Sequence, residues 1–468
     1  MKKTKIICSI GPASTDVDVM KRMVLAGMNV ARINFSHATD EEKENVVSSV
    51  KKVRELTNEN IAILYDTKGP EFRNGVLENG EINLVAGNTI KIVKEDIIGT
   101  SEAFSVNHPE AIDSINIGDT VLLENGLMSM DVIEKYDDYI LCKIINGGVL
   151  GDRKSLSVPG VHLDIPFISE NDYNDIVYAC KHDGDYLALS FISTKDDVLE
   201  AKKILRDNNR EDMKVICKIE STTGVKNIED ILSVSDGIMV ARGDLGVEAP
   251  MEELPYLQKM MIKKAREYSK ICIVATEMLE SMKKSSRPTR AEVSDVANAV
   301  MDGTDAVMLS GESTVGKYPV ETVEYMAKIC EETEKHIHFD ELPEFSRKNN
   351  IVEMISINAA ASANNLDAKL IVVSTLGGYT ARKISNIRSD APILALCTNH
   401  SIARSLSLYY GVYTRVIPVF NTTDEVLNES LIKAKEFMNL EDNDIVVITG
   451  GSHMLENKGT NLLKIVRI

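Results

Sequence analysis

VICKIESTTGVKNIEDILSVSDGIMVARGDLG, residues 215–246, decides how the rest of the chain is read. Two apolar, β-branched runs, VICKIE and GIMVARGD, flank a segment whose residues 225–234 have the periodicity of an amphipathic helix. Side chains alternate along a strand, so Lys218 and Glu220 share one face while Ile219 takes the other. One ammonium and one carboxylate therefore face a common cavity. The second run ends on Asp244, and carboxylates from two neighbouring strands can hold Mg²⁺ if substrate oxygens and water complete its octahedron. Lys/Glu pairs are also common as solvated strand ends. Against that reading stands the desolvation cost of charges that terminate strongly apolar strands.

Working outward, the same strand-then-helix unit recurs. Residues 1–65 read as strand KTKIICSIG, helix 16–25, strand NVARINFSH, helix 41–56 and strand NIAILYDTKGP. After Pro159 come YLALSFI, KVICKIE, GIMVARGD, ICIVATEM and AVMLSGES, separated by helical segments such as 252–268 and 289–301. Eight such units predict an α/β fold of the (β/α)₈ TIM-barrel type, whose chemistry sits at the C-terminal ends of its strands. That rule selects Asn34, Ser36, Asp66, Thr67, Lys218, Glu220, Asp244, Thr276, Glu277, Ser310 and Glu312.

Between the two barrel segments, 1–70 and 158–335, residues 71–157 change to short alternating runs punctuated by Asn74-Gly75, Asn79-Gly80, Asn125-Gly126 and Asn146-Gly147. This is hairpin chemistry. It predicts an inserted all-β, barrel-like domain after the third barrel strand, hung over the strand ends on hinges at Gly69-Pro70 and Pro159-Gly160. Its functional reading is a lid that excludes water; the plainer one is a passive decoration. Residues 336–350 lose apolar periodicity and read as a linker, with His336 and His338 as surface histidines. Residues 351–468 form a third, C-terminal α/β domain. There the turn Thr375-Leu-Gly-Gly-Tyr-Thr380, with Gly377 and Gly378, offers backbone amides to an anion, although many such turns carry glycine only to reverse direction.

Composition narrows the function. The chain carries 53 Lys and Arg against 71 Asp and Glu, a formal charge of −18, with no basic run, which argues against nucleic acid or an anionic membrane as partner. The N-terminal MKKTKIICSIGP has too short an apolar run for a secretory signal, and no run approaches a membrane span. The seven cysteines lack paired spacing and read as reduced core residues of a cytoplasmic protein. GESTVGK (311–317) copies a phosphate-binding loop up to its lysine, but Tyr318 follows where Mg²⁺ needs a short hydroxyl.

Taken in fixed order, KIICSIGP, NVARINFSH, DTKGPEFR, KIE, DGIMVARGDLGVE, ATEMLESM and RPTRAEVSDVANAVMDGTDAVMLSGES resemble the pyruvate kinases, and weaker similarity extends over the β insertion and the C-terminal domain. The resemblance implies transfer of the phosphoryl group of phosphoenolpyruvate to ADP, giving ATP and pyruvate. It implies Glu220 and Asp244 as ligands of Mg²⁺ (or Mn²⁺), and Lys218 as the cation beside the phosphoryl in flight. Arg32 matches the substrate-phosphate arginine, Gly243 and Thr276 the substrate-carboxylate contacts, and Thr276 also part of the proton route. Asn34, Ser36, Asp66 and Thr67 match the K⁺ ligands, and Glu71 matches the residue of K⁺-requiring members. Arg73, Lys154 and His37 match nucleotide contacts. A homotetramer and a phosphorylated allosteric effector at Thr375, Gly377, Gly378 and Thr380 follow from the same resemblance.

The chain departs from the family pattern at several places. Ser221 stands for the usual asparagine, Glu277 for the usual glutamine, and Leu376 and Tyr379 occupy the effector loop's basic positions. Two other functions share parts of the pattern. A Mg²⁺-dependent phosphoenolpyruvate or pyruvate lyase would use the same carboxylates and arginine, but has no use for a hinged lid with nucleotide-binding cations. A metabolite sensor with an inactive barrel would be expected to have lost Lys218 or Asp244.

Overall fold

The computed structural model describes residues 1–36, 38–339, 350–451 and 459–468. Eight strands, β1 (Lys5–Ser9), β2 (Val30–Asn34), β3 (Ala62–Asp66), β4 (Tyr186–Leu189), β5 (Lys214–Ile219), β6 (Gly237–Ala241), β7 (Ile271–Ala275) and β8 (Ala306–Leu309), close into a barrel. Every neighbouring pair is parallel and the circuit runs β1-β8-β7-β6-β5-β4-β3-β2. Strand alternation sorts the core. Ile6, Cys8, Val215, Cys217 and Ile219 point outward to the helices, while Ile7, Ala62, Leu64, Ile216, Met239 and Ile273 fill the interior. Lys218 continues the inward series from Ile216, so its face is set by period two alone.

The helices between strands start where local chemistry dictates. Capping boxes at Thr39/Glu42, Ser169/Asp172, Thr194/Asp197 and Thr289/Glu292 open four of them. Asp172 has a second task, because its Oδ1 accepts from the N–H of Gly69 at 3.0 Å and so fixes the point where the chain leaves for the insertion.

The insertion is all β. A six-stranded sheet runs in the order Leu156–Ser157, Thr120–Leu123, Met128–Lys135, Tyr139–Asn146, Thr89–Val93, Ala103–Ser105, with a two-stranded pair Gly148–Gly151/Glu81–Leu84 beside it. It encloses its own core of Phe72, Ile90, Phe104, Val121, Met130 and Ile140 among others. Asn125 (φ 56°) and Gly126 (φ 84°) take the left-handed conformations that a tight hairpin turn demands.

The C-terminal domain is a five-stranded sheet of β9 (Leu370–Thr375), β10 (Ile393–Cys397), β11 (Val412–Val416), β12 (Ile445–Gly450) and β13 (Leu462–Arg467), ordered β11-β10-β9-β12-β13 with only β13 antiparallel. It plugs the floor of the barrel. Leu406, Leu408 and Tyr409 join the interior cluster of barrel residues, and the Tyr186 hydroxyl donates to the Ser405 carbonyl at 2.7 Å. Charges fasten the same contact. Fully buried Arg388 donates to Asp305, at the start of β8, at 2.8 Å, and Arg404 donates to Asp185, at the start of β4, at 2.8 Å.

Two local expectations need correction. The run GIMVARGD does not reach Asp244 as a strand: β6 stops at Ala241 and Arg242–Glu248 is helical. The Arg242 side chain, drawn to the Ala275 and Thr276 carbonyls and to Asp295, turns the chain there. The helix expected over 225–234 is two helices, Thr222–Lys226 and Ile228–Val234, broken at Asn227, whose amide reaches across to the Ser193 carbonyl at 2.8 Å. In the C-terminal domain, strand Val412–Val416 mixes apolar with charged residues, and helix Thr423–Phe437 buries Val426, Leu427, Ser430 and Ala434 on one face. Of the linker, residues 340–349 lie outside the described residues; His336 and His338 are exposed, beside Glu332 and Asp390. Among the described residues all seven cysteines are free, and no helix is long and apolar enough to cross a membrane.

Candidate functional site

At the C-terminal mouth of the barrel a cavity of about 570 Å³ lies between the strand ends and the β insertion. Its centre is Lys218. The Nζ sits 2.9 Å from Glu220 Oε1 and 3.3 Å from Asp66 Oδ1, and donates to Ser190 Oγ at 2.7 Å. Glu220 (1% exposed) and Asp66 (0%) are both buried, so the ammonium is the chief compensation for two carboxylates drawn from different strands. Burial works against charge on Lys218, but Asp66 and Glu220 outweigh it and hold its pKa above the usual range. Asp66 stays below its ordinary value because Lys218 and Arg32 together overcome its burial.

Glu220 behaves otherwise. Burial, reinforced by the nearby charge of Asp244, pushes its pKa up to about 7 despite Lys218. Its Oε2 accepts from the N–H of Phe191 at 2.6 Å. Asp244 lies in the first turn of Arg242–Glu248 rather than on a strand, and still lines the same cavity as Glu220. Among the described residues no three acidic, His or Cys side chains gather as a metal-holding group. A divalent ion here would therefore take two protein carboxylates and complete its shell from other oxygens, and the hard oxygen donors and the repulsion between Glu220 and Asp244 fit Mg²⁺.

Arg32 is held on two sides: Nε donates to Asp66 Oδ2 at 2.7 Å and Nη1 to Ser9 Oγ at 2.7 Å. Asn34 stands opposite Asp66 in the β2/β3 register, Ser36 donates its N–H to Asn34 Oδ1 at 3.1 Å, and Thr67 follows Asp66 directly. The four expected K⁺ ligands are thus gathered at two adjacent strand ends, three of them neutral oxygens beside one buried carboxylate. Thr276 Oγ1 accepts from the Gly243 N–H at 2.9 Å and donates to the Ala275 carbonyl at 2.7 Å. Thr276 (φ 70°), Glu277 (φ 53°) and Phe191 (φ 56°) all hold left-handed backbone that costs non-glycine residues energy, and all three stand at the mouth.

On the insertion side, Arg73 forms a two-pronged pair with Glu71 (2.9 and 2.7 Å), which also receives Lys68 at 3.0 Å, and Lys154 pairs with Glu124 at 2.7 Å. Arg73 and Lys154 both line the cavity. His37 lies outside the described residues. In the C-terminal domain, Thr375 Oγ1 accepts from the Gly378 N–H at 2.9 Å and Thr380 bonds Thr460, so both hydroxyls of that turn are engaged within the domain. Ser310 and Glu312 serve the scaffold: Glu312, fully buried, accepts from the N–H groups of Leu279 and Ser310. Ser221 caps Thr222–Lys226 by accepting from the Gly224 N–H.

Two residues escaped the sequence reading. Ser9 and Ser190 stand at the ends of KIICS and YLALS, so the strand-end rule reaches them, but serine carries no charge to draw attention. Ser190 is the more consequential. Its Oγ accepts from Lys218 while donating to the Thr67 carbonyl at 2.6 Å, and its N–H donates to Thr67 Oγ1 at 3.2 Å. A hydrogen bond to a charged group contributes about 1.5–3 kcal/mol, so Ser190→Ala is expected to lower kcat/KM by about 10- to 100-fold with an unchanged circular dichroism spectrum. Wild-type kcat/KM in that variant would show that Lys218 is oriented without it. A second cavity of about 660 Å³, lined by Ile10, Pro12, Ile33, Val46 and Val315, adjoins the first and shares Arg32 and Asn34 with it.

Comparison with known proteins agrees along the whole chain. The family described as pyruvate kinase, barrel domain, matches residues 1–323, and the pyruvate kinase alpha/beta domain matches residues 353–466. A pyruvate kinase of Geobacillus stearothermophilus is 44% identical over 469 residues, covering 99% of this chain and 80% of that protein. One from Clostridium acetobutylicum is 40% identical over 469 residues, covering 99% of each. The crystal structure of a pyruvate kinase from Cryptosporidium parvum superposes with a TM-score of 0.94 at 39% identity, covering 100% of this chain and 96% of that one. With a lysine set between buried carboxylates at the mouth of a parallel eight-stranded barrel, this chain belongs to the pyruvate kinase family, phosphotransferases that act on phosphoenolpyruvate and ADP.

Proposed function

We propose that phosphoryl transfer in this protein is organised by Lys218, Arg32, Glu220, Asp244 and Thr276, and that the reaction uses Mg²⁺ and K⁺. The observation that carries the reading is the position of Lys218, shared by Asp66, Glu220 and Ser190 at the mouth. A phosphoryl group in flight spreads negative charge over its oxygens, so the protein's task is positioning and charge compensation. Arg32, oriented by Asp66 and Ser9, keeps its Nη2 edge for the substrate phosphate. Lys218 moves with little rearrangement from its carboxylate partners to the transferring group and then to the enolate oxygen left behind. The Gly243 N–H takes the substrate carboxylate, which requires it to leave Thr276 Oγ1. Thr276 relays the final proton from solvent to the enolate carbon, taking a proton from water as it gives its own, which requires its hydroxyl to release the Ala275 carbonyl.

Glu220 and Asp244 would hold Mg²⁺, which supplies Lewis-acid neutralisation of substrate oxygens when bound. Asn34, Ser36, Asp66 and Thr67 would hold K⁺, a set suited to a large, weakly hydrated monovalent ion. Arg73 and Lys154 exchange Glu71 and Glu124 for the phosphates of ADP, and the adjoining apolar cavity receives its base. Residues 71–157 act as a lid over the mouth. A homotetramer, a cytoplasmic location and a phosphorylated effector at Thr375, Gly377, Gly378 and Thr380 complete the proposal.

The test is a coupled measurement of pyruvate and ATP from phosphoenolpyruvate and ADP. Equal amounts of both products are expected with Mg²⁺ and K⁺, with at least tenfold less turnover when K⁺ and Na⁺ are both withheld. Full activity without either monovalent ion would refute the proposed K⁺ site.

A further inference from the structure

Two chain crossings join residues 71–157 to the barrel, and one buried carboxylate holds both. On the way out, Gly69 still belongs to the barrel. Its φ of 73° turns the chain, and a β-carbon there would come within 2.8 Å of the Ser190 β-carbon and 2.9 Å of the Ser190 carbonyl oxygen. By Phe72 the chain is part of the insertion's core. On the way back, Ile165 packs against that core, and Phe167 against the core between barrel and helices.

Asp172, in the first turn of helix Glu170–Lys181, is 2% exposed and sits where the two crossings reach the barrel. Its oxygens divide between them. Oδ1 accepts from the Gly69 N–H at 3.0 Å, just before the outgoing crossing. Oδ2 accepts from the Ser169 hydroxyl at 2.5 Å and the Ser169 N–H at 3.3 Å, just after the returning one. A capping box needs only the second set. The bond to Gly69 spans 103 residues of sequence and belongs to no capping pattern. An ionised carboxylate is acceptor-only on both oxygens, so it holds these donors together without rearranging. Inside the insertion the same two segments meet again, where the Leu156 N–H donates to the Phe72 carbonyl at 2.8 Å and the Asn74 N–H to the Lys154 carbonyl at 3.1 Å. Arg73 and Lys154 flank that junction and line the mouth cavity, whereas Asp172 does not.

We propose that Asp172 is a positioning residue for the transfer reaction: by fastening both crossings it sets where Arg73 and Lys154 stand relative to Lys218. It acts on nucleotide binding through the insertion and touches no substrate. The inference rests on the reading of residues 71–157 as a lid that carries nucleotide contacts.

Steady-state kinetics of the full chain with Mg²⁺ and K⁺, varying ADP and phosphoenolpyruvate in turn, test this. Asp172→Ala is expected to raise the KM for ADP about tenfold, below the roughly hundredfold that an ångström of misplacement can cost. The KM for phosphoenolpyruvate, whose contacts rise from the barrel itself, stays as it was. Asp172→Asn, with a single acceptor oxygen for two crossings, raises the KM for ADP less, and decides alone where Asp172→Ala fails to fold. Ser169→Ala removes the cap hydroxyl but leaves Asp172 on Gly69, so it lowers the melting temperature without moving the KM for ADP. Loss of folded enzyme by itself lowers kcat and moves neither KM. An unchanged KM for ADP in the Asp172 variants, or a rise in Ser169→Ala as large as in Asp172→Ala, would overturn the proposal. Arg73→Ala separates the two levels of the argument. A wild-type KM for ADP in that variant sinks the nucleotide role of the lid and the proposal with it, whereas a raised one beside silent Asp172 variants overturns the role of Asp172 alone.

Discussion

Lys218→Met is expected to lower kcat by about three orders of magnitude, the scale at which removal of a single preorganised transition-state contact is felt, and here the lost contact carries a full charge. The same substitution changes the fold's response to pH. In the native protein, Lys218 lies 2.9 Å from Glu220 and 3.3 Å from Asp66. Without it, Asp66 keeps Arg32, but Glu220 keeps only the Phe191 N–H and the repulsion of Asp244. The folded-state pKa of Glu220, already about 7, rises further. A carboxyl group whose pKa is higher folded than unfolded favours folding when protonated, so that contribution is present below the unfolded value and is lost as pH rises through the folded one. The melting temperature of Lys218→Met should therefore match the wild type most closely near pH 5 and fall increasingly below it through pH 7 and above. A variant with undiminished turnover would end the assignment of Lys218. A melting difference independent of pH would mean that Glu220 is not the group left uncompensated.

Arg388→Met is expected to be the most destabilising single change in the scaffold. Arg388 is 0% and Asp305 5% exposed at the side chain, and the guanidinium also donates to the Gly303 carbonyl at 2.7 Å. Removing one partner of a buried ion pair costs about 3–5 kcal/mol, because the remaining charge is stranded. Asp305 retains the N–H groups of Cys272 and Tyr410, which moderates the loss without neutralising the charge. Scanning calorimetry should show a lower transition, with the C-terminal domain separating from the barrel. Asp305→Asn in the same background should recover most of it, since the stranded charge is then gone. If the double variant is no more stable than Arg388→Met, the cost lies in packing around Tyr410, whose ring is 4.4 Å from the guanidinium carbon.

Family membership removes the two competing readings. The lyase shares the carboxylates and the arginine, but the match runs through barrel and C-terminal domain alike. A sensor with a dead barrel is out of keeping with a site that retains Lys218, Glu220 and Asp244 on one cavity.

Much of this was legible in the chain because the determining signals are local. Period-two alternation puts Lys218 and Glu220 on one face, repetition of strand and helix implies a parallel barrel, and the strand-end rule names Asn34, Asp66 and Thr67 before any fold is seen. What local spacing cannot express is which strand ends become neighbours once the barrel closes. Asp66 lies more than a hundred residues before Lys218, yet closure brings it within 3.3 Å, and Ser190, unremarkable in sequence, accepts a hydrogen bond from the same ammonium. The turn that lifts Asp244 off its strand likewise depends on Arg242 reaching carbonyls of β7 and the residue after it. Residue order and periodicity determined the architecture and the charged residues of the mouth. Tertiary structure alone decided how those charges compensate one another and how the C-terminal domain seals the floor, because burial and Coulomb energy depend on distance through space and not along the chain.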